Sequence, residues 1–239
     1  MAITVSQQLM NELKGFKLVD LSQTVDEKIP TWTGDCGFKS KMLTDYPDGA
    51  RVLEYECVAS AGTHIDAPSH FVPSGRNVNE LTLEELCTPI CIVDMSEKLH
   101  SKAQITLEDF ENFERTYGEI PKGSVVLGQT GWSRYWETPE KYRGSEKYPT
   151  TPTMSAEVGE LLVQREVVGI GIDTLSPDPY GGSYPLHVQL LGADKFILEN
   201  LTNLDKLPKK GSYLIALPMK VAKGTESPVR AIALIPTVH

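Results

Sequence analysis

A chain of 239 residues, 40% of them hydrophobic, is long enough to bury a substantial core and suits one domain spanning residues 1–239. Its formal charge of -9 argues against nucleic acid or an anionic membrane as the main partner, because both favour a basic surface. The amino terminus has no cationic segment leading into an apolar run, and no apolar stretch is long enough to span a bilayer, so the expected setting is the cytoplasm. Cys36, Cys57, Cys87 and Cys91 form no Cys-x2-Cys pair and fit reduced thiols rather than a zinc knuckle or a disulfide scaffold.

In chain order, Ser6 to Lys14 reads as a short amphipathic helix with Leu9, Met10 and Leu13 apolar and Gly15 as its C-cap. Lys17 to Ser22 follows as a strand. Ile29 to Lys41 contains Pro30, Gly34 and Gly37 and reads as a loop carrying Trp32. Arg51 to Ala59, with Val52, Leu53, Tyr55 and Val58, is a predicted strand. Val72 to Asn77 is a turn, Thr82 and Glu85 make a capping box for a short helix through Leu86, and Ile90 to Asp94 is a buried strand. Thr106 to Tyr117 is a helix with Leu107, Phe110 and Phe113 on one face, and Ser124 to Gly131 is a strand that ends in Thr130-Gly131-Trp132.

The polar interval Arg134 to Pro152 reads as a surface excursion, suited to a rim or lid or to no role at all. Ser155 to Arg165 is a helix with Ser155 as N-cap, and Val167 to Asp173 is a strand whose unbroken apolar run predicts burial on both faces. Helices alternating with strands, without repeats or linkers, give a single-domain α/β fold with a mixed sheet and flanking helices.

The stretch from Ser60 to Phe71, SAGTHIDAPSHF, holds two of the five histidines around a carboxylate. In an extended segment side chains alternate faces, so His64 and Asp66 project to the same side, close enough to share a cation. Pro68 disfavours helix at Ala67, which leaves His70 able to face the same cavity without entering the ligand set. His100, in a polar loop, and His239, the last residue, are expected to be solvated.

The run GTHIDAPSHF resembles the signature of the cyclase family of metal-dependent hydrolases, which includes bacterial kynurenine formamidases and isatin hydrolases. Asp20-Leu21-Ser22 with Pro30 and Trp32, Thr130-Gly131-Trp132, Asp173 to Asp178, His187 to Leu191 and Pro228-Val229-Arg230 match the same family in the same order. The family's pattern reads His-x-Gly-Thr-His-x-Asp-x-Pro-x-His, and Ser60 stands here in place of its first histidine, a ligand in two-metal members. A hydroxyl is a poorer ligand than imidazole for a borderline metal, so one ion, or a differently built pair, is open.

The resemblance implies His64, Asp66, His187 and Glu199 as metal ligands, His70 as the catalytic acid/base, and an aromatic wall near Trp32. It also implies a swivelling β/β/α architecture and a homodimer or larger homo-oligomer. One unbroken helix would hold His187 and Glu199 about 18 Å apart. The chain must therefore double back, with Gly192 ending a short helix in the left-handed conformation and Lys195 to Glu199 returning extended.

Two imidazoles and two carboxylates suit Zn²⁺ or Mn²⁺. The implied reaction is hydrolysis of an amide, either an N-formyl arylamine such as N-formylkynurenine or a cyclic amide such as isatin, and Trp32 with Trp132 point to a flat substrate. A metal-dependent lyase or isomerase, or a non-catalytic binding relative, are the alternatives that the same ligands allow.

Overall fold

The computed structural model describes residues 12, 14–98, 100–145 and 147–237. The helix expected over Ser6 to Lys14 falls, apart from Glu12 and Lys14, outside the described residues, as does His239.

Eight strands join in the order β1 (Phe16–Asp20), β12 (Glu226–Pro236), β11 (Lys210–Pro218), β5 (Cys87–Asp94), β7 (Val125–Gln129), β9 (Gly169–Ile172), β10 (Phe196–Glu199) and β4 (His64–Asp66). β4 also pairs with the start of β12, which closes the sheet on itself. In this sheet β5, β7, β9 and β10 run parallel and the remaining pairings are antiparallel, while β6 (Gln104–Ile105) and β8 (Thr153–Met154) form a separate parallel pair. Closure removes the open edges that a strand as short as β4 would otherwise leave unsatisfied.

Alternation sorts side chains to the two faces of this closed sheet. Ile90, Ile92, Val125, Leu127, Phe196, Leu198, Leu214, Ala231 and Ala233 form one fully buried cluster, to which Ile65 belongs. Gly169 and Gly171 stand opposite them because a Cβ at Gly169 would meet the Phe196 ring at 2.5 Å, and one at Gly171 would meet Leu127 at 2.7 Å. The opposite-facing residues Cys91, Val93, Val126, Ile170, Ile172 and Ile197 pack under three helices, α2 (Leu107–Tyr117), α4 (Glu157–Gln164) and α5 (Pro185–Gly192). The fold is thus mixed α/β, a mixed sheet with flanking helices as the sequence predicts, and the sheet is closed.

Two local signals act as expected. Thr82 with Glu85 forms the capping box of α1 (Leu83–Leu86), and Thr106 with Asp109 forms that of α2, whose Phe110 and Phe113 are buried. Elsewhere the sequence reading needs correction. The loop from Ile29 gives way at Phe38 to β2 (Phe38–Thr44), which pairs with β3 (Val52–Cys57) in an exposed two-stranded ribbon outside the closed sheet. β3 therefore does not present the ligands; β-propensity reports fit to a pleated surface, not which sheet a strand joins. The expected cap at Ser155 is not formed: the residue preceding α4 is Ala156, and no side chain caps the helix.

Leu127, fully buried in the central parallel strand β7, is a test of this core. Leu127→Ala is expected to cost about 2–5 kcal/mol through lost burial and the cavity left behind, read as a lower midpoint in denaturant unfolding; an unchanged midpoint would contradict the assignment of this cluster as core.

Candidate active site and metal centre

Gly62 turns the chain into β4 with φ 69°, where an added Cβ would also meet Val25 at 2.6 Å. β4 then lies between β10 and β12, with Glu199 opposite His64 and Glu226 opposite Asp66. Ile65 points into the barrel core, so His64 and Asp66 point out of it, as the period of two demands. Glu199 leaves β10 on that same side because Phe196 and Leu198 take the inner one.

The fourth group arrives from α5. Pro185 occupies its first turn, and Asp178 accepts from the Leu186 N–H (3.1 Å), the His187 N–H (2.9 Å) and His187 Nδ1 (2.8 Å). One carboxylate thus caps the helix and fixes the ring. The chain doubles back between His187 and Glu199 as required, but Gly192 is still helical and the left-handed residue is Asp194, φ 61°. Aspartate tolerates that conformation, and the Asp194 carboxylate meets Arg76 at 2.8 Å.

The four groups form a closed ring. His64 Nε2 lies 3.5 Å from Asp66 Oδ1 and 3.3 Å from Glu199 Oε2, while His187 Nε2 lies 3.5 Å from Asp66 Oδ2 and 3.4 Å from Glu199 Oε1. All four residues are buried. His64 Nδ1 is bonded to Gly62 O at 3.0 Å and His187 Nδ1 to Asp178, which turns both Nε2 atoms inward. Asp66 Oδ1 and Glu199 Oε1 are buried with no hydrogen-bond partner among the described residues. Orphaned carboxylate oxygens facing two inward imidazole nitrogens fit a divalent cation, which supplies the missing partner for each.

Charge reinforces that reading. Burial works to lower the His64 pKa, but the hydrogen bond that its ring donates to Glu199 and the charges of Asp66 and Glu199 outweigh it and raise the value to about 9. Burial likewise opposes protonation of His187, yet Asp178, Asp66 and Glu199 together push it up to about 12. Without a cation, protons on the two rings balance the carboxylates.

His70 ends the 3₁₀ turn Pro68–His70, its N–H bonded to Ala67 O at 2.9 Å, and it faces the ring of four from one side. Its Nδ1 lies 3.4 Å from Glu226 Oε2, and its ring sits 6.1 Å from that of His187. These groups open into a cavity of about 510 Å³ whose walls include Trp32, Phe71 and Tyr184, with Ser60 and Leu175 also on the lining. Among the described residues, no lysine or arginine lines it. Trp32 packs at a tilt against Tyr180 (centroids 5.2 Å apart) and Tyr184 (6.3 Å). Arg143 fixes the Trp32 loop from behind, donating to Thr31 O at 3.1 Å and Trp32 O at 3.3 Å.

Arg143 belongs to α3 (Pro139–Arg143), within the interval expected to be a surface excursion. Tyr142 and Trp136 from this interval are buried in a third cluster with Leu175 and Ile29, so the segment is a buttress for the cavity wall. Trp132 is in the same cluster and not on the cavity lining. The left-handed Gly131 turns it inward, its Nε1–H donates to Tyr142 O at 2.7 Å, and it packs against Tyr135. The substrate contact expected of Trp132 is corrected accordingly. His100 is exposed.

Sequence reasoning missed the two acids that touch the histidines from outside the ring. Asp178 was visible only as the end of a matched run; its signal was a carboxylate shortly before a proline-led helix. Glu226 had none, because two residues before Pro228 nothing marks a strand position opposite Asp66.

Residues 19–179 match the family described as "Putative cyclase", and the chain belongs to this cyclase family. It is 33% identical over 189 residues to the isatin hydrolase of Roseibium aggregatum, covering 74% of this chain and 72% of that one. It is 31% identical over 225 residues to the kynurenine formamidase of Bacillus anthracis, covering 92% of this chain and 98% of that one. Among solved structures, an isatin hydrolase bound to the product analogue thioisatinate superposes with a TM-score of 0.90 at 26% identity, covering 99% of each chain.

Two outcomes follow from this geometry. Asp178→Asn is expected to weaken cation binding about 10- to 100-fold, measured by competition with a chelator, because the Asp178 carboxylate orients the His187 ring; unaltered affinity would separate Asp178 from the site. The raised histidine pKa values also set a pH dependence. In the cation-free protein the stabilisation from protonated His64 is complete below about 6.5 and is lost as pH rises through about 9, with His187 following at about 12. A cation must displace those protons, so its apparent affinity should rise between about pH 6 and 9, and calorimetry in buffers of different ionisation enthalpy should detect proton release. Identical heats in all buffers would exclude protonated ring histidines.

Proposed function

We propose that the protein, acting as one domain over residues 1–239, hydrolyses the amide bond of a flat aromatic compound, with cyclic amides such as isatin preferred and N-formyl arylamines second. The observation that carries this reading is the ring of His64, Asp66, His187 and Glu199 at the base of a cavity walled by Trp32, Phe71 and Tyr184. The relatives named for isatin and for kynurenine formamide chemistry support hydrolysis of a non-peptide C–N bond. The preference for a cyclic amide comes from the lining: among the described residues no lysine or arginine there pairs with the carboxylate of an amino-acid substituent such as that of N-formylkynurenine.

The four donors would hold Zn²⁺ or Mn²⁺, the mixed nitrogen and oxygen set suiting both. Such an ion, when bound, polarises the amide carbonyl and lowers the pKa of water from about 15.7 to about 7. His70 takes a proton from the attacking water and delivers it to the nitrogen as the C–N bond breaks, the general acid/base role in which imidazole is used most often. Trp32 and Tyr184, tilted 58° to one another, wall the cavity and offer an apolar surface to a planar ring.

Free thiols, with Cys36 and Cys57 exposed, suit a reducing cytoplasm. No helix among the described residues is long and apolar enough to cross a membrane. The exposed Met42, Leu53 and Tyr55 of the β2–β3 ribbon favour a homodimer or larger homo-oligomer.

The test is turnover of isatin, N-formylkynurenine and N-formylaniline by the metal-loaded protein, with products resolved by mass. Isatin is expected to gain one water and turn over fastest, and N-formylaniline to exceed N-formylkynurenine. His70→Ala should retain its metal and lose about 10²- to 10⁴-fold in kcat, whereas Asp66→Ala should lose both. Absence of water addition to any of the three compounds would overturn the reading, and full turnover by the His70 variant would move the proton transfer elsewhere.

A further inference from the structure

Glu226 stands outside the ring of four and has no part in the reaction as described so far. It is the first residue of β12, paired in register with Asp66, and its side chain is only 18% exposed. Its Oε2 lies 3.4 Å from His70 Nδ1, and among the described residues this is the one carboxylate at ion-pair distance from His70. The other groups facing that imidazole are Asp66 from β4, His187 from α5 and the edge of the Phe71 ring, 4.9 Å between centroids.

We infer that Glu226 is the positioning residue for His70, holding its Nδ1–H so that Nε2 is the nitrogen presented to the reacting water and the leaving amide. The inference rests on the hydrolytic role given to His70 above. A neutral imidazole carries one N–H and one lone pair, and the partner of one nitrogen decides which atom keeps the proton. A carboxylate on Nδ1 makes that nitrogen the donor and leaves Nε2 as the base.

The proton inventory then closes. As the oxygen of water bonds to the carbonyl carbon, one water proton passes to Nε2, and the ring becomes an imidazolium whose charge Glu226 balances through Nδ1–H. When the C–N bond breaks, Nε2 returns the proton to the departing nitrogen, so water's hydroxyl ends on carbon and its hydrogen on nitrogen. The separation of 3.4 Å is long for an N–H···O bond and shortens when the ring carries charge.

The backbone keeps the pair in register. β4 and β12 hold Asp66 against Glu226, and the 3₁₀ turn that carries His70 leans on Gly75, where a Cβ would meet Pro68 C at 2.6 Å and Ser69 N at 2.7 Å. The turn has one seat, and from it His70 reaches Glu226. The competing role for Glu226 is direct ligation, since its carboxylate falls within 4.8 Å of ligand atoms of His64 and Asp66. The ring at 3.3–3.5 Å already offers four donors without it, which favours positioning.

The experiment uses the zinc-loaded protein and its Glu226→Gln, Glu226→Asp and Glu226→Ala variants. Metal per chain should equal that of the parent in all of them, and KM should stay within about two-fold. For Glu226→Gln, kcat should fall about 10- to 100-fold, with Glu226→Asp recovering part of the loss.

Nitrogen-15 spectra of the His70 ring, assigned by its disappearance in His70→Ala, should report Nδ1–H in the parent and a shift toward Nε2–H in Glu226→Ala. Metal lost from Glu226→Gln would make Glu226 a ligand, and a raised KM with unchanged kcat would make it a substrate contact; either result overturns the inference. So does a tautomer that ignores Glu226. If no amide is turned over by the parent, the hydrolytic reading fails, while the ring spectra still decide whether Glu226 sets the His70 tautomer.

Discussion

The placement of a three-residue strand is the constraint on which the molecule's chemistry depends. β4 hydrogen-bonds to β10 on one side and β12 on the other, closing the sheet and setting His64, Asp66, Glu199 and Glu226 on one face within reach of one another. Three residues give too few ladder bonds to hold alone, so the position of β4 comes from its neighbours and from Ile65, buried in the barrel core. The Thr63 hydroxyl adds a tether, donating to Asn200 O at 2.7 Å and accepting from the Gln23 N–H at 2.9 Å. The site is precise because the same pairing that presents its ligands also completes the core.

Such closeness has an electrostatic consequence. Two ionised carboxylates buried beside two neutral imidazoles leave their charge uncompensated and their lone pairs short of donors. Protons are one solution, seen in the raised pKa values of His64 and His187. A divalent cation is the better one, because it meets four donors at once where two protons leave Asp66 Oδ1 and Glu199 Oε1 without partners. The fold therefore holds a cation-shaped deficit that its own residues cannot fill, which ties folding to metal uptake and metal uptake to pH.

What the sequence disclosed depended on the range of the interaction concerned. Capping boxes at Thr82 and Thr106, the buried run Val167 to Asp173 and the alternation of His64 with Asp66 are local rules, and they were legible. The chain reversal between His187 and Glu199 followed from length alone, although the turn uses Asp194 rather than Gly192 because any residue able to enter the left-handed region serves. The partnering of β2 with β3 outside the main sheet, the burial of Tyr142 and the register of Glu226 against Asp66 are set by contacts far apart in sequence, and no local pattern encodes them. Trp132 shows the same limit: a tryptophan after Thr-Gly carries no mark of which way Gly131 turns it.

Position 60 shows how the arrangement bears on metal number. Where the family's pattern has a histidine, Ser60 lines the cavity without joining the ring. The four donors at 3.3–3.5 Å come from β4, β10 and α5, none of which is disturbed by a small residue at position 60. An imidazole missing at position 60 leaves the ring of His64, Asp66, His187 and Glu199 complete as a set of four donors.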